Sequence, residues 1–163
     1  MIKYQGMCCV ALGMLLLMAV GCAKKSKKPD GLPDLHPLSV KLVYDDGTPV
    51  EEASIQLSNT DKSLTQRWVS GGKTDNQGNA IIRTHGEFPG APTGNFKVIV
   101  NKEEVITDDS SYPPRITARY NHVEKQYTTV QNTPLLVDVK PDTKSVELKV
   151  GKKVREAIAG PPG

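Results

Sequence analysis

Cysteine is absent from residues 23–163 of this 163-residue chain, because Cys8, Cys9 and Cys22 all lie near the N-terminus. That part of the chain therefore holds no disulfide framework and no cysteine-ligated metal site. Aromatic residues are scarce as well, at 5%, and no helical periodicity of useful length follows Cys22. The formal net charge is only +3, so charge gives no case for a nucleic-acid partner.

The positive charge that is present sits mostly in one short segment. Four lysines fall within residues 24–28, and Lys3 is the only charged residue before them. Subtracting these five from the 21 Lys and Arg residues leaves 16 against 18 Asp and Glu, a net charge of −2 for the rest of the chain. The body is therefore close to neutral, and the segment after Cys22 is a basic tether.

Residues 1–21 have the organisation of a signal peptide. Lys3 is followed by an apolar core over residues 10–20, within the ~7–15 residues usual for such a core. Residues 19–22, AVGC, then resemble the lipobox of bacterial lipoproteins, with Ala19 where leucine is usual. The resemblance implies that Cys22 takes a thioether-linked diacylglycerol before cleavage, so that palmitate-type acyl chains hold the protein to membrane lipid.

Two other interpretations of the N-terminus stay open. Residues 4–23 carry no charge, and about 20 apolar residues can span a bilayer, so an uncleaved transmembrane helix is one of them. Cleavage without lipidation, which would release a secreted product, is the other. Ala23 follows the cysteine and is not an Asp, which is typical of an outer-membrane destination. We therefore expect a lipid-anchored protein of the cell envelope, on the outer membrane.

Short apolar segments alternate with polar residues in a period of two, which predicts strands. The predicted strands cover residues 38–44, 53–57, 64–70, 80–82, 95–100, 116–120, 135–139 and 146–150. Residues 71–79 and 101–114 are rich in turn-forming and polar residues and are predicted to be loops. The last two strands, joined across Pro141 and Asp142, are predicted to form a hairpin.

These strands predict an all-β fold, an Ig-like or prealbumin-like antiparallel β-sandwich of about seven strands. Its predicted limits are residues 37–150. Residues 22–36 are predicted to be a flexible tether that begins with the lipidated Cys22, and residues 151–163 a flexible tail. A body of this length can bury an adequate core without disulfides.

Three segments of the body carry a resemblance to a known domain family. They are residues 42–55, LVYDDGTPVEEASI; residues 74–80, TDNQGNA; and residues 94–100, GNFKVIV. Apart from a longer insert around residues 84–93, their order and spacing resemble the carboxypeptidase regulatory-like domain, a transthyretin-like sandwich found on exported bacterial proteins. Tyr120 and residues 133–139, TPLLVDV, resemble the ending of small lipoproteins that consist of this domain alone. Ala80 stands where an aromatic residue is usual. The resemblance implies an accessory, binding or spacer role, because the family's motifs mark turns and core positions rather than chemistry.

Three histidines are candidates for chemistry, but none has the spacing of a metal or catalytic motif. His36 lies in the predicted tether, while His85 and His122 lie beside predicted loops and are expected at the surface. An enzyme with His85 or His122 beside a carboxylate in a cleft is kept as an alternative. Because hydrolase motifs are absent, we predict a non-catalytic protein without cofactor or metal.

Two ligand sites are weighed beside this prediction. Residues 75–79 and 108–110 offer oxygen atoms to calcium, although Asp, Asn and Gly are typical of turns in any case. The aromatic residues that could form a sugar-stacking platform are Trp68, Tyr112, Tyr120 and Tyr127. A tryptophan is also typical of a sandwich core.

The sequence therefore predicts an envelope lipoprotein whose sandwich is a structural or protein-interaction module. Its predicted partners are membrane lipid, reached through Cys22, and an envelope protein. A carbohydrate- or small-ligand-binding lipoprotein is the alternative.

Overall fold

Strands make up nearly all the regular structure of the chain in a computed structural model, which describes residues 27–61 and 68–158. One short 3-10 helix, Lys125–Thr128, is the other element of these residues. The prediction of an all-β fold is confirmed. The predicted signal peptide and Cys22 lie outside the described residues, as does most of the strand predicted over residues 64–70.

The larger sheet of the sandwich has six strands, each antiparallel to its neighbours. In spatial order they are β12 (Leu136–Val139), β9 (Gly94–Asn101), β3 (Ser54–Asn59), β4 (Ser70–Lys73), β6 (Arg83–Thr84) and β7 (Phe88–Pro89). Alternation places apolar side chains on one face of these strands. In β3 the side chains of Ile55 and Leu57 are buried, while those of Ser54 and Gln56 are exposed.

The smaller sheet has three strands. They are β13 (Ser145–Lys149), β2 (Ser39–Val43) and β5 (Asn79–Ile81). The central strand β2 is antiparallel to β5 but parallel to β13, with Val40 opposite Val146 and Leu42 opposite Leu148. The predicted sandwich is thus antiparallel except for this one pair.

A single apolar core joins the two sheets. The smaller sheet contributes Val40, Leu42 and Leu148, and the larger sheet contributes the inward-facing apolar side chains of β3, β9 and β12. Burying one such Leu, Ile or Val contributes about 1.5–3 kcal/mol relative to leaving it exposed. The core therefore explains why a chain without disulfides in its body adopts this fold.

The turn at residues 74–78 locks the two sheets together. The hydroxyl of buried Thr74 accepts the Ala53 N–H at 2.8 Å and donates to the Val50 carbonyl at 2.6 Å. Gly78 has φ +78°, and a Cβ there would lie 2.5 Å from the Leu42 carbonyl oxygen. Both residues belong to a segment that carries the family resemblance, and both have structural roles here.

Two further sheets complete the fold. One pairs β1 (Leu35–His36) with β8 (Ala91–Pro92), and the other orders β10 (Glu103–Asp108), β11 (Arg115–Asn121) and β14 (Glu156–Ala157). β1 lies in the predicted tether and β14 in the predicted tail, so strand structure extends beyond residues 37–150 on both sides.

Three local predictions were wrong. Residues 71–73, predicted as loop, lie in β4. Their backbone groups pair with β3, and this pairing does not depend on side chains of high strand propensity. Residues 101–114, also predicted as loop, contain β10, which is paired along its length with β11. The predicted hairpin is absent from the described residues, because β12 pairs with β9 of the larger sheet and β13 with β2 of the smaller.

Candidate functional site

Exposed apolar side chains concentrate on the three-stranded sheet β10–β11–β14. We call residues 103–121 and 156–158 the arm. Of the eight large apolar side chains that are exposed in the described residues, five lie in the arm: Val105, Ile106, Tyr112, Ile116 and Ile158. Asn121 is the only residue of β10 and β11 that is buried. Both faces of the arm therefore meet solvent in the part of the chain that the structure describes.

Three of these apolar side chains share one face of the arm. Val105 lies opposite Arg119, and the Ile158 N–H donates to the Arg119 carbonyl at 2.9 Å, which sets Ile158 opposite Arg119 on the other side. Ile116 lies opposite Thr107, which is two residues from Val105 and thus on the same face. Val105, Ile116 and Ile158 are 46%, 39% and 38% exposed. Arg119, which lies 3.6 Å from Glu103, shares this face with them, so the surface combines exposed apolar groups with an ion pair, as interaction surfaces do.

A charged cluster occupies the other face. The Glu104 Oε2 lies 2.8 Å from the His122 Nε2 and accepts the Arg155 Nε–H at 3.0 Å. These hydrogen bonds, first from Arg155 and then from His122, lower the pKa of the Glu104 carboxyl. The Arg155 guanidinium also lies 3.6 Å from the centre of the Tyr120 ring, a cation–π contact. Through Arg155, the residue before β14, the cluster holds the C-terminal strand to β10 and β11.

The base of the arm is held to the sandwich by Tyr44. Its side chain is buried in the core, and its hydroxyl donates to the His122 carbonyl at 3.1 Å. Burial raises the pKa of the Tyr44 phenol, with smaller contributions from Asp46 and Glu51. The phenol therefore stays neutral and keeps its hydrogen bond at ordinary pH.

A shallow trough crosses the exposed face of the larger sheet, away from the arm. Its volume is about 510 Å³, and Gly71 and Gly72 form its floor. Gln56, Arg83 and His85 line its sides. A Cβ at Gly71 would lie 2.4 Å from the Ile55 carbonyl oxygen, so the glycine is needed for close strand approach. Trp68 adjoins the trough through an edge contact with His85, with ring centres 5.6 Å apart.

The three histidines lie in different surroundings. His36 is in β1, and His85 is exposed with φ +55°. His122 does lie beside a carboxylate, that of Glu104, as the enzyme alternative requires. Arg155 binds the same carboxylate, so the three side chains form one hydrogen-bonded network on a strand face.

The four aromatic residues considered as a platform do not share a surface. Tyr127 belongs to the core, and Tyr112 is fully exposed in the connection between β10 and β11. Tyr120 is covered on one face by Arg155. Trp68 is half-buried rather than a core residue, and its indole N–H donates to the Gly31 carbonyl at 3.2 Å.

The two candidate calcium segments are turns that use their own carboxylates. The Asp75 Oδ1 accepts the backbone N–H groups of Gln77 and Asn79, which lowers the pKa of Asp75, with Asn79 as the larger cause. The Asp108 Oδ1 accepts the Ser110 N–H at 3.0 Å. Across residues 27–61 and 68–158, no group of three His, Cys, Asp or Glu side chains is placed to hold a metal ion.

Cys22, the predicted lipidation site, lies outside the described residues, and its role stays a prediction. None of the helical structure in the described residues is long and apolar enough to cross a membrane.

One strand of the arm was predicted from the sequence, since the predicted strand over residues 116–120 lies in β11. β10 and β14 were not predicted: the apolar pair Val105 and Ile106 was present, but acidic and turn-forming residues surround it. Nothing in the spacing of Glu104 and Arg155, which are 51 positions apart, could have indicated their contact.

Comparison with known proteins assigns no family to the chain. No family model matches it, and no curated protein matches it. Among solved structures, the crystal structure of a 9R-lipoxygenase from Cyanothece PCC8801 aligns with a TM-score of 0.36 and 15% identity. The alignment covers 77% of this chain and 18% of the lipoxygenase chain. A similarity at this level carries no argument about fold or activity.

Proposed function

We propose that this chain is a lipoprotein of the cell envelope, anchored to the outer membrane through Cys22, whose β-sandwich is a non-catalytic structural or protein-interaction module. The observation that supports the module is the apolar face of the arm. Val105, Ile116 and Ile158 are exposed on one face of a sheet whose strands β10 and β11 have Asn121 as their only buried residue. A surface of this kind lowers its free energy when a partner covers it.

The proposed anchor rests on simple energetics. Each buried CH₂ of an acyl chain contributes ~0.8 kcal/mol, and a single chain gives only marginal membrane binding. Two or three chains on Cys22 would hold the protein stably. The lysines within residues 24–28 would add about 1 kcal/mol each beside anionic lipid.

The anchor is tested by the intact mass of the protein extracted from membranes. We expect the loss of residues 1–21 and the addition of acyl mass on Cys22. The matched variant is Cys22→Ala, which should accumulate as the uncleaved precursor. Normal processing of that variant would contradict the lipoprotein proposal.

The module is tested by photo-crosslinking in cells, with the crosslinker at Ile116 of the arm. The control position is Ile81 of β5, an exposed apolar side chain outside the arm, at 66% exposure. We expect a discrete protein adduct from Ile116 and only diffuse products from Ile81. Equal, diffuse labelling from both positions would argue against an interaction module.

The trough favours a second candidate function, binding of a carbohydrate or another small polar ligand. Gln56, Arg83 and His85 offer hydrogen-bonding groups along its sides, and the contact of His85 with Trp68 gives a direct readout. Because Trp68 is the only tryptophan, a saturable change in its emission on adding envelope glycans would support this candidate. Arg83→Ala should abolish the change, and a change that persists in that variant would arise elsewhere.

A further inference from the structure

One edge of the arm has unpaired backbone groups. The Arg119 carbonyl accepts the Ile158 N–H, so the backbone of Arg119 points toward β14 and away from β10. Its opposite residue, Val105, is then in a non-hydrogen-bonded position, and its own N–H and C=O point away from β11. The ladder is interrupted by a β-bulge between Ile106 and Thr107, but its extra residue, Thr117, belongs to β11. Along β10 itself the alternation continues, and Glu103 and Thr107 point the same way as Val105. In the described residues no strand pairs with this edge.

Most of the charges along β10 are already compensated within the arm. Glu103 lies 3.6 Å from Arg119, and Glu104 is bound by Arg155 and His122. An edge strand with charges of this kind is usually protected against pairing. This protection is weaker in β10, because each glutamate is already paired with an arginine side chain of the same molecule.

Two charges near the ends of β10 have no ion-pair partner in the described residues. Lys102 precedes the strand, and its carbonyl accepts the His122 N–H at 2.9 Å. The hydrogen-bonded pairing of β10 with β11 therefore includes this residue. Asp108 ends the strand, and its carboxylate accepts only the Ser110 N–H and hydroxyl. The two side chains have opposite charge and lie at opposite ends of the open edge.

We infer that the open edge of β10 pairs with the same edge of a second copy of this chain, antiparallel and about a two-fold axis at Val105. Only residues whose backbone groups point outward can form the hydrogen-bonded pairs, which limits the register. With Val105 opposite its copy, Glu103 lies opposite Thr107, and about six main-chain hydrogen bonds join the chains.

Charge complementarity selects this register over its neighbours. It sets Lys102 of each chain opposite Asp108 of the other, in a non-hydrogen-bonded position where side chains are closest. A shift of the axis by one residue toward either end places Glu104 opposite its copy or opposite Asp108, with like charges facing. The two-fold arrangement is also the commonest symmetry of homo-oligomers.

This inference gives the proposed interaction module a second contact surface, the free edge of β10, beside the face that carries Ile116 and Ile158. The strand pairing itself does not depend on the anchor. The paired edge is short, so the dimer is weak for free molecules. Confinement of both copies to one membrane raises their effective concentration, as linkage of two binding modules does. The association should therefore be strongest in the native membrane.

The test uses Val105→Cys in the full chain, expressed in its membrane and treated with a mild oxidant. Paired Cα atoms in a sheet lie within the reach of a disulfide. Because residues 23–163 contain no cysteine, the body contributes no background, and the wild-type chain controls for the N-terminal cysteines. We expect dimer formation at least tenfold faster than from the control Ile81→Cys. Equal rates would mean random collision and would overturn the inference.

Charge exchange then tests the register. In the Val105→Cys background, Lys102→Glu and Asp108→Lys should each lower the dimer yield, by about tenfold, and the two together should restore it. Asp108→Asn keeps the acceptor for the Ser110 N–H and should lower the yield less than Asp108→Lys. Failure of the double variant to recover would overturn the register.

Other outcomes separate this inference from the proposed function. A disulfide or photo-adduct from position 105 to a different protein would overturn the second copy as occupant while supporting an interaction module. Protection of the arm by lipid vesicles without protein contact would overturn both the pairing and the module. The acyl mass on Cys22 is independent of all these results and reports on the anchor alone.

Discussion

Replacement of Thr74 by Val should destabilise the fold by about 2–3 kcal/mol, although the two side chains have nearly the same shape and volume. Val keeps the shape of Thr but removes a buried hydroxyl that accepts the Ala53 N–H and donates to the Val50 carbonyl. Each buried group left without a partner costs about 1–3 kcal/mol, and the extra buried methyl returns about 0.8 kcal/mol. The net loss is a large fraction of the stability of a small domain.

The assay is urea unfolding of the full chain followed by far-ultraviolet circular dichroism. With a slope of about 1–3 kcal/mol per molar urea, the midpoint should fall by roughly 1 M without a change of slope. Thr117→Val is the matched control, because Thr117 is exposed, and its effect should stay within about 0.5 kcal/mol. A midpoint for Thr74→Val equal to that of the control would refute the reasoning about the buried hydroxyl.

Three further predictions follow from the turns and the arm. Gly78→Ala should lower the free energy of unfolding by more than about 2 kcal/mol, because its Cβ would lie 2.5 Å from the Leu42 carbonyl oxygen. Gly47→Ala, with a similar φ but no atom within 4 Å of the added Cβ, should lower it by only about 1 kcal/mol. Equal urea midpoints for the two variants would contradict this. The pKa of the Asp75 carboxyl is lower in the folded chain than its usual 3.8. The ionised carboxylate therefore stabilises the fold above that value, and this contribution is lost as the pH falls through the folded pKa. Asp75→Asn should therefore lose less stability than wild type between about pH 6 and pH 3, measured as urea midpoints. Glu104→Gln should speed amide hydrogen exchange in the arm with little change in the urea midpoint, and unchanged exchange would show that the charged cluster does not hold the arm.

Strands with one buried face could be predicted from the sequence because burial and alternation coincide there. Leu42, Ile55 and Val98 sit in the middle of regular alternating segments, and all three are in the core. The turn at residues 74–78 was equally visible, since Asp and Gly have the local backbone and hydrogen-bonding preferences that turns require.

The parts that escaped prediction depend on contacts between distant residues. Gly71 and Gly72 lie in a strand because β3 approaches them closely, which no local propensity encodes. β10 has no buried face, so its residues lack the apolar alternation on which strand prediction relies. The partnership of Glu104 with Arg155 depends on how the C-terminal segment returns to β11.

The parallel pairing of β2 with β13 has a consequence for the order of events during synthesis. Ser39 of the first sandwich strand lies opposite Ser145, so the smaller sheet is completed only when nearly the whole chain is available. Contacts of such long sequence separation are slow to form. Until β13 has been synthesised, β2 lacks one of its two neighbouring strands. A chain shortened before residue 145 should therefore be a substrate for chaperones and proteases rather than a smaller stable domain.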